Sequence, residues 1–421
     1  MKKLLFLAAI FIAASVNAQN NLEYFLKSAF DNNPQIKEYG QSLLSSKYER
    51  DLIDAENVLP KLSVSANYVF SPYFNNGGKL ISANPSPDAI GYDIGLSNGG
   101  LYSALFNVDK NIFNGGVTDA LMKQVSIKDE TTSNNLLLLK HEIEKQVTDQ
   151  YLQSLLSLKM IDLENEILGN LKEESAAVNR LKEKGLAKES DRLLLDIEVQ
   201  NQTNALNSSR TQYRWNLNQL YAICGIIGAD SARIDSVALA SAAFKPGSEY
   251  LKKYALDSLA LLNQQEIFES KYNPQVSLFF NTGLMAVELT GIQRKFGLSA
   301  GINFSIPIYD GNQKSITRQQ NEISLKTVSF YKDYFNSQLK TQRSNSLNRI
   351  NSLKENISNL QSQIASYMRV IDISRKEYEK GLLSMLDYLT IMRNYIDLKK
   401  NLLTAQNDYQ LEISNYNYWN W

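Results

Sequence analysis

A chain of 421 residues with 44 basic and 44 acidic side chains has no net charge with which to hold nucleic acid. Its one cysteine, Cys224, excludes an intramolecular disulfide, and one histidine with scattered methionines supplies no CxxC or HxxxH pair for a metal. No Gly-rich phosphate loop with its Lys-Ser/Thr stands at a strand–helix junction, so the reading is of a protein that is not an enzyme and has no cofactor.

The chain opens as a secretory signal peptide, residues 1–18. Lys2 and Lys3 are its charged region, residues 4–16 its apolar stretch and Val16-Asn17-Ala18 its cleavage site. That stretch is too short to span a bilayer as a helix, and no later run reaches the roughly 18 apolar residues a membrane helix needs. A first helical segment contains Asn32-Asn33-Pro34 and ends at Leu59-Pro60. Alternation then predicts a strand, with Leu62, Val64, Ala66, Tyr68 and Phe70 on one face and Ser63, Ser65 and Asn67 on the other. Residues 73–99, with Asn75-Asn76-Gly77-Gly78 and three prolines close by, read as a loop. A returning strand places Tyr102, Ala104, Phe106 and Val108 opposite Ser103, Asn107 and Asp109.

After Gly115-Gly116 the punctuation stops. No proline lies between 88 and 245, and Gly169 is the only glycine before Gly185. Proline costs about 3 kcal/mol in a helix interior, so its absence permits a very long helix. Ile143, Val147, Tyr151, Leu155, Leu158, Leu163, Ile167 and Leu171 supply its seam, and His141 is placed on its solvated face. Gly185 marks a tip, and a second helix runs over about 188–222, capped by Ser190 or Asp191. Cys224 reads as a small apolar filler near its end. Gly225, Gly228 and Pro246 break the pattern, and a short helix follows over about 249–272.

A third strand carries Val276, Leu278 and Phe280 opposite Ser277 and Asn281. The fourth strand is the cleanest, with Phe296, Leu298, Ala300, Ile302, Phe304 and Ile306 opposite Gly297, Ser299, Gly301, Asn303 and Ser305. A second long helix has Ile350, Leu353, Ile357, Leu360, Ile364, Tyr367 and Ile371 in heptad register and ends at Gly381. Each long helix, at roughly 68 residues and 1.5 Å per residue, would reach about 100 Å. A last helix over about 384–415 leads into the aromatic ending Tyr416-Asn417-Tyr418-Trp419-Asn420-Trp421, read as a tail packed on the helices.

The chain therefore says one thing twice. Phe113-Asn114-Gly115-Gly116 returns as Tyr309-Asp310-Gly311-Asn312, and Gly185-Leu186 with Asp191 returns as Gly381-Leu382 with Asp387, both at an offset of 196. Residues 19–228 read as a first structural repeat, 229–248 as a linker and 249–421 as a second repeat. The strand-entry prolines, Pro60 and Pro274, are 214 apart, so the halves match unevenly before the strands. Alternating strands suit either a soluble sheet lying on a core or a sheet with one face to lipid. Four strands cannot close a membrane barrel, whose minimum is about 8, so a membrane reading needs several chains to pool them.

Leu59-Pro60-Lys61-Leu62-Ser63-Val64 and Asn273-Pro274-Gln275-Val276-Ser277-Leu278, each followed by a returning strand, a rod and a tip glycine, resemble the TolC-type outer-membrane factor (outer membrane efflux protein) family over almost the whole mature chain. The resemblance implies a mainly α fold with a transmembrane β part, residues 73–99 and 284–295 being its extracellular loops. Its duplicated halves would form a trimeric 12-helix barrel continuous with a 12-stranded outer-membrane β-barrel, four strands per chain. It implies a passive exit duct in the outer membrane, reaching into the periplasm and serving a tripartite efflux pump or type I secretion system. The partners would be a homotrimer, a periplasmic adaptor protein, an inner-membrane transporter and outer-membrane lipid. Asp387, Asp191 and Tyr378 match the periplasmic gate. Asp387 also suits a helix start and Tyr378 a packed seam end. Leu383 and Thr390 stand where the family often has further latch and gate residues. Gly185, Leu186, Ser190, Gly381, Leu382 and Ser384 match the adaptor-docking tips, where the glycines also serve the turn. The competing reading is an exported coiled-coil spacer with a soluble sheet cap.

Overall fold

The computed structural model describes residues 21–80, 82, 86–91, 100–227, 233–287 and 289–421. The expected signal peptide, Gly228 and much of the 73–99 loop lie outside them. In chain order the elements are α1 (Leu22–Asn32), α2 (Pro34–Asn57), β1 (Lys61–Phe70), β2 (Gly100–Phe113), α3 (Val117–Glu183), α4 (Glu189–Cys224), α5 (Lys252–Ser270), β3 (Gln275–Ala286), β4 (Phe296–Ser305), α6 (Gln313–Glu379) and α7 (Met385–Trp419). The two rods, α3 and α6, are each 67 residues long, as the proline-free and nearly glycine-free stretches allow. Asn33 separates α1 from α2: its carboxamide oxygen accepts from Gln35 N at 2.9 Å and Ile36 N at 3.2 Å. Pro34 takes the first position of α2, where a missing N–H costs nothing. β3 runs on to Ala286, so residues 284–286 are strand where the resemblance implies loop.

By contacts the chain divides into two compact units. One draws on residues 40–133 and 253–331, the other on 1–39, 134–252 and 332–421. The first unit holds a four-stranded antiparallel sheet in the order β1-β2-β3-β4, leaving β1 and β4 as edges. Its register aligns the apolar stripes: Val64 faces Phe106, Val108 faces Phe280, and Leu278 faces Ile302. The result is a largely apolar face, interrupted by Lys110 opposite Leu278 and Thr282 opposite Phe106. It stays bare: Val64 is 79% exposed and Leu298 74%, with Leu62, Phe296, Ile302 and Phe304 similarly open. On the opposite face Asn107 donates to Ser65 Oγ at 2.8 Å and Ser299 Oγ donates to Asn281 Oδ1 at 2.7 Å. That face also carries Val69, Leu105 and Phe279, so it is less uniformly small and polar than alternation predicts. Helices accompany the strands in this unit. Arg50 of α2 pairs with Asp129 of α3 at 2.5 Å, and Arg318 of α6 with Glu269 of α5 at 2.6 Å.

The core of the second unit begins where α1 lies against α3 and α4. Phe25 meets Tyr151 and Tyr221 edge-on at 5.8 and 5.7 Å, over Val147, Leu217, Leu220 and Cys224. Burial pushes the Cys224 thiol up to about 12, which leaves it an inert filler. The α3 seam from Ile143 to Leu171 is buried throughout. Its heptad counterpart on α6 is only half-buried from Leu353 to Ile371, so the better sequence pattern has the poorer cover within one chain.

Residues 233–245 form a segment without regular secondary structure, and side chains from the end of the last helix bind its backbone. Asn417 accepts from Ala242 N at 2.8 Å and donates to Ala240 O at 2.9 Å. Three residues on, Asn420 accepts from Lys245 N at 3.1 Å and donates to Ala243 O at 2.8 Å. Buried Arg343 donates to Trp419 O, Lys245 O and Gly247 O at 2.7, 3.0 and 3.2 Å. Arg343→Ala orphans three carbonyls at once, and at about 1 kcal/mol or more each it should lower the unfolding free energy by about 3 kcal/mol, read by denaturant melting. The aromatic ending is thus a packed tail. His141 is not on a solvated face: its side chain is 11% exposed, stacked between Tyr418 and Trp421, because the tail returns across that turn of α3.

Candidate functional site at the hairpin tips

Each rod ends in the same turn. Leu186 N donates to Leu181 O at 2.8 Å and Gly185 N to Lys182 O at 2.8 Å; Leu382 N donates to Glu377 O at 2.9 Å and Gly381 N to Tyr378 O at 2.9 Å. These are paired Schellman bonds, which need a left-handed residue at the helix exit. Gly185 at φ 75° and Gly381 at φ 72° supply it. The turns project Leu186, 69% exposed, and Leu382, 75% exposed.

The second helix of each hairpin starts differently. Lys188, not Ser190 or Asp191, is the N-cap of α4, and it has no side-chain acceptor to offer. Asp191 reaches back instead, accepting from Lys188 N at 3.3 Å, while Ser190 stays exposed. In the second hairpin Ser384 is the cap: its Oγ accepts from Asp387 N at 3.1 Å and donates to Asp387 Oδ2 at 2.6 Å. Asp387 is exposed and occupies the first turn of α7, where a carboxylate also suits the helix dipole.

The geometry brings Tyr378 and Asp191 together. The Tyr378 hydroxyl donates to Asp191 Oδ2 at 3.3 Å, and its ring, stacked on Tyr388, sits in an apolar cluster with Leu171, Val178, Leu195, Met385 and Leu389. Packing and hydrogen bonding therefore coexist at this residue. Burial first, then the Asp191 carboxylate, raises the Tyr378 hydroxyl above its ordinary range, so it remains a donor. Asp387 is bonded to its own cap and not to this pair.

Sequence reading missed the larger feature, a ladder of ion pairs joining the two hairpins. Glu174 meets Arg375 at 2.8 Å, Glu198 meets Arg393 at 2.6 Å, Glu164 meets Lys400 at 2.9 Å and Glu166 meets Lys399 at 2.7 Å. Every acid comes from α3 or α4 and every base from α6 or α7. Glu174 is 7% exposed, and burial, only partly offset by Arg375, raises its carboxyl above the usual range. Within the first hairpin, Arg192 and then Lys182 hold the exposed Glu189 carboxyl down to about 2. The charges stand in the sequence, but their pairing depends on how two distant hairpins face each other. Among the described residues no group of His, Cys, Asp or Glu is placed to hold a metal ion.

A four-stranded sheet whose strands lead into long helical hairpins is the protomer fold of solved outer-membrane efflux channels. CusC, whose structures describe transmembrane channel formation, superposes with a TM-score of 0.74 at 15% identity over 94% of this chain and 91% of its own. VceC, an outer membrane protein of Vibrio cholerae, gives 0.71 at 14% identity over 95% and 96%. The Neisseria gonorrhoeae outer membrane channel MtrE gives 0.67 at 12% over 95% and 88%. No curated protein sequence matches the chain. Residues 248–413 match the family model of the outer membrane efflux protein. That segment is similar to the outer membrane efflux protein family, and the chain has the fold of the efflux channels.

Proposed function

We propose that this chain is one third of a passive outer-membrane duct that extends into the periplasm, the exit channel of a tripartite efflux pump or type I secretion system. The bare apolar face of the sheet carries the reading. In a soluble sheet the stripes Leu62–Val64–Tyr68 and Leu298–Ile302–Phe304 would lie on a core; here they lie in register and open. Lipid satisfies that face, and water in a lumen satisfies the Ser, Asn and Gly face. The edges β1 and β4 carry unpaired backbone groups that lipid does not tolerate, so copies of the chain must join edge to edge. Three copies give twelve strands. The half-covered heptad seam of α6 is a further surface for such neighbours.

In this reading the repeats 19–228 and 249–421 each supply two strands and one hairpin. The exposed tips, Gly185, Leu186, Ser190, Gly381, Leu382 and Ser384, dock a periplasmic adaptor, and an inner-membrane transporter supplies energy. Asp387 places a carboxylate ring at the entrance, favouring cations over anions, while Tyr378 and Asp191 latch the hairpins. Fractionation tests the duct. The protein should sediment with the outer membrane and leave it only in detergent; recovery in the soluble periplasmic fraction would instead establish the spacer. The latch has its own test. Tyr378→Phe with Asp191→Ala removes the hydrogen bond between the hairpins and also the one Asp191 accepts from Lys188 N, each worth about 1 kcal/mol, and should raise single-channel conductance in planar bilayers; unchanged conductance removes these two residues from the gate.

A further inference from the structure

We propose that a cavity between α3, α6 and α7 is a binding site for an amphipathic carboxylate, an apolar chain with one negative head. The cavity measures about 360 Å³, within the roughly 300–1,000 Å³ of small-molecule sites. α3 lines it with Leu152, Leu156 and Lys159, and α7 lines it with Leu403, Asn407 and Gln410. Steps of four and three keep each trio on one face of its helix. Ile357 of α6 and Val237 of the irregular segment 233–245 complete the apolar wall. Two hydrogen bonds hold that segment to the helices. The Tyr151 hydroxyl donates to Asp235 O at 2.6 Å, and Leu239 N donates to Gln410 Oε1 at 2.6 Å. Val237 lies between these two pins, so this part of the wall is fixed in place.

Three polar groups of the cavity call for one kind of partner, a negatively charged acceptor. Lys159 is half-buried and is the only charged residue of the wall. Among the described residues it has no carboxylate partner, and Asp162, three positions on, is committed to Arg233 at 2.6 Å. Asn407 is only 8% exposed, and its Nδ2 has no hydrogen-bond partner. A buried amide N–H without an acceptor is costly, so a ligand oxygen placed there satisfies what the fold leaves unmet. Gln410 commits its oxygen to Leu239 N; a backbone N–H only donates, so the side-chain N–H groups of Gln410 are left to donate. One ammonium with neutral donors matches a single negative charge, and the leucine, valine and isoleucine wall matches a chain. An amine would meet Lys159 as a like charge, and a neutral chain would desolvate Lys159 without pairing it.

Equilibrium dialysis tests the site, using the full-length protein in an uncharged detergent at neutral pH, radiolabelled decanoate and a detergent blank. Decanoate should bind saturably above the blank at a single site per chain. Decanol should bind about tenfold more weakly or worse, the worth of one charge-assisted hydrogen bond, and decylammonium should not rise above the blank. This comparison of head groups needs no substitution. Lys159→Gln should weaken decanoate by a similar factor and leave decanol unchanged. Asn407→Leu, which removes the unpaired N–H, should weaken decanoate several-fold without lowering the melting temperature. No saturable binding of decanoate, equal binding of decanol and decanoate, or decanoate binding untouched by Lys159→Gln would overturn the proposal. The cavity is formed within one chain, so recovery of the protein in the soluble fraction would sink the duct and leave these outcomes as they stand.

Discussion

Gly283→Val should abolish the assembled sheet. Gly283 stands at φ 153° in the middle of β3, opposite Leu105 of β2. A Cβ there would lie 2.2 Å from Ala104 O and 2.9 Å from Leu105 Cα. Both obstacles are backbone, so relief means parting β2 from β3. Strain and overpacking together cost about 2–6 kcal/mol, a large share of a domain's typical stability. The yield of heat-modifiable oligomer on a mild-detergent gel should fall at least tenfold. Gly297, its cross-strand partner in β4, is the control: nothing lies within 4 Å of its added Cβ, and its φ is ordinary. Gly297→Ala should leave the yield unchanged.

Arg375→Ala should unlock the hairpins, and acid should partly lock them again. Removing the guanidinium leaves Glu174, buried and charged, with only the Tyr388 hydroxyl. Breaking a buried pair costs about 3–5 kcal/mol; Arg375 is half-exposed, so water replaces part of what it gave and about 1–3 kcal/mol remains. The sign with pH follows from the direction of the shift. Glu174 has a raised carboxyl in the folded state, so its favourable contribution is complete below the ordinary glutamate range and is lost as pH rises through the raised value. Conductance of the Arg375→Ala channel should exceed the parent severalfold at neutral pH and fall towards it on acidification. Glu174→Gln, which carries no charge to bury, should show neither the gain nor the pH dependence. A variant pair that behaves alike would remove this rung from the gate.

The sequence is most legible where one residue type has one physical consequence. Missing prolines between 88 and 245 and after 307 gave the two rods, and the two tip glycines gave the turns, because the backbone demands are local. Alternation located all four strands for the same reason, but not their ends, since pairing with β2 extends β3 to Ala286. His141 was misplaced because its neighbours in sequence, Lys140 and Glu142, are charged; its neighbours in space, Tyr418 and Trp421, arrive from the far end of the chain. Lys188 displaced the expected caps because Asp191 satisfies the helix start from inside it. The hairpin ladder was invisible for a related reason. Glu174 and Arg375 lie 201 positions apart, and nothing in either local pattern marks the other.

The central claim is that this polypeptide closes no tube by itself. The most direct test is the mass of the detergent-solubilised protein by light scattering, corrected for bound detergent. The account predicts three chains per particle and no stable particle once detergent is withdrawn. A monodisperse single chain, soluble in plain buffer, would contradict it.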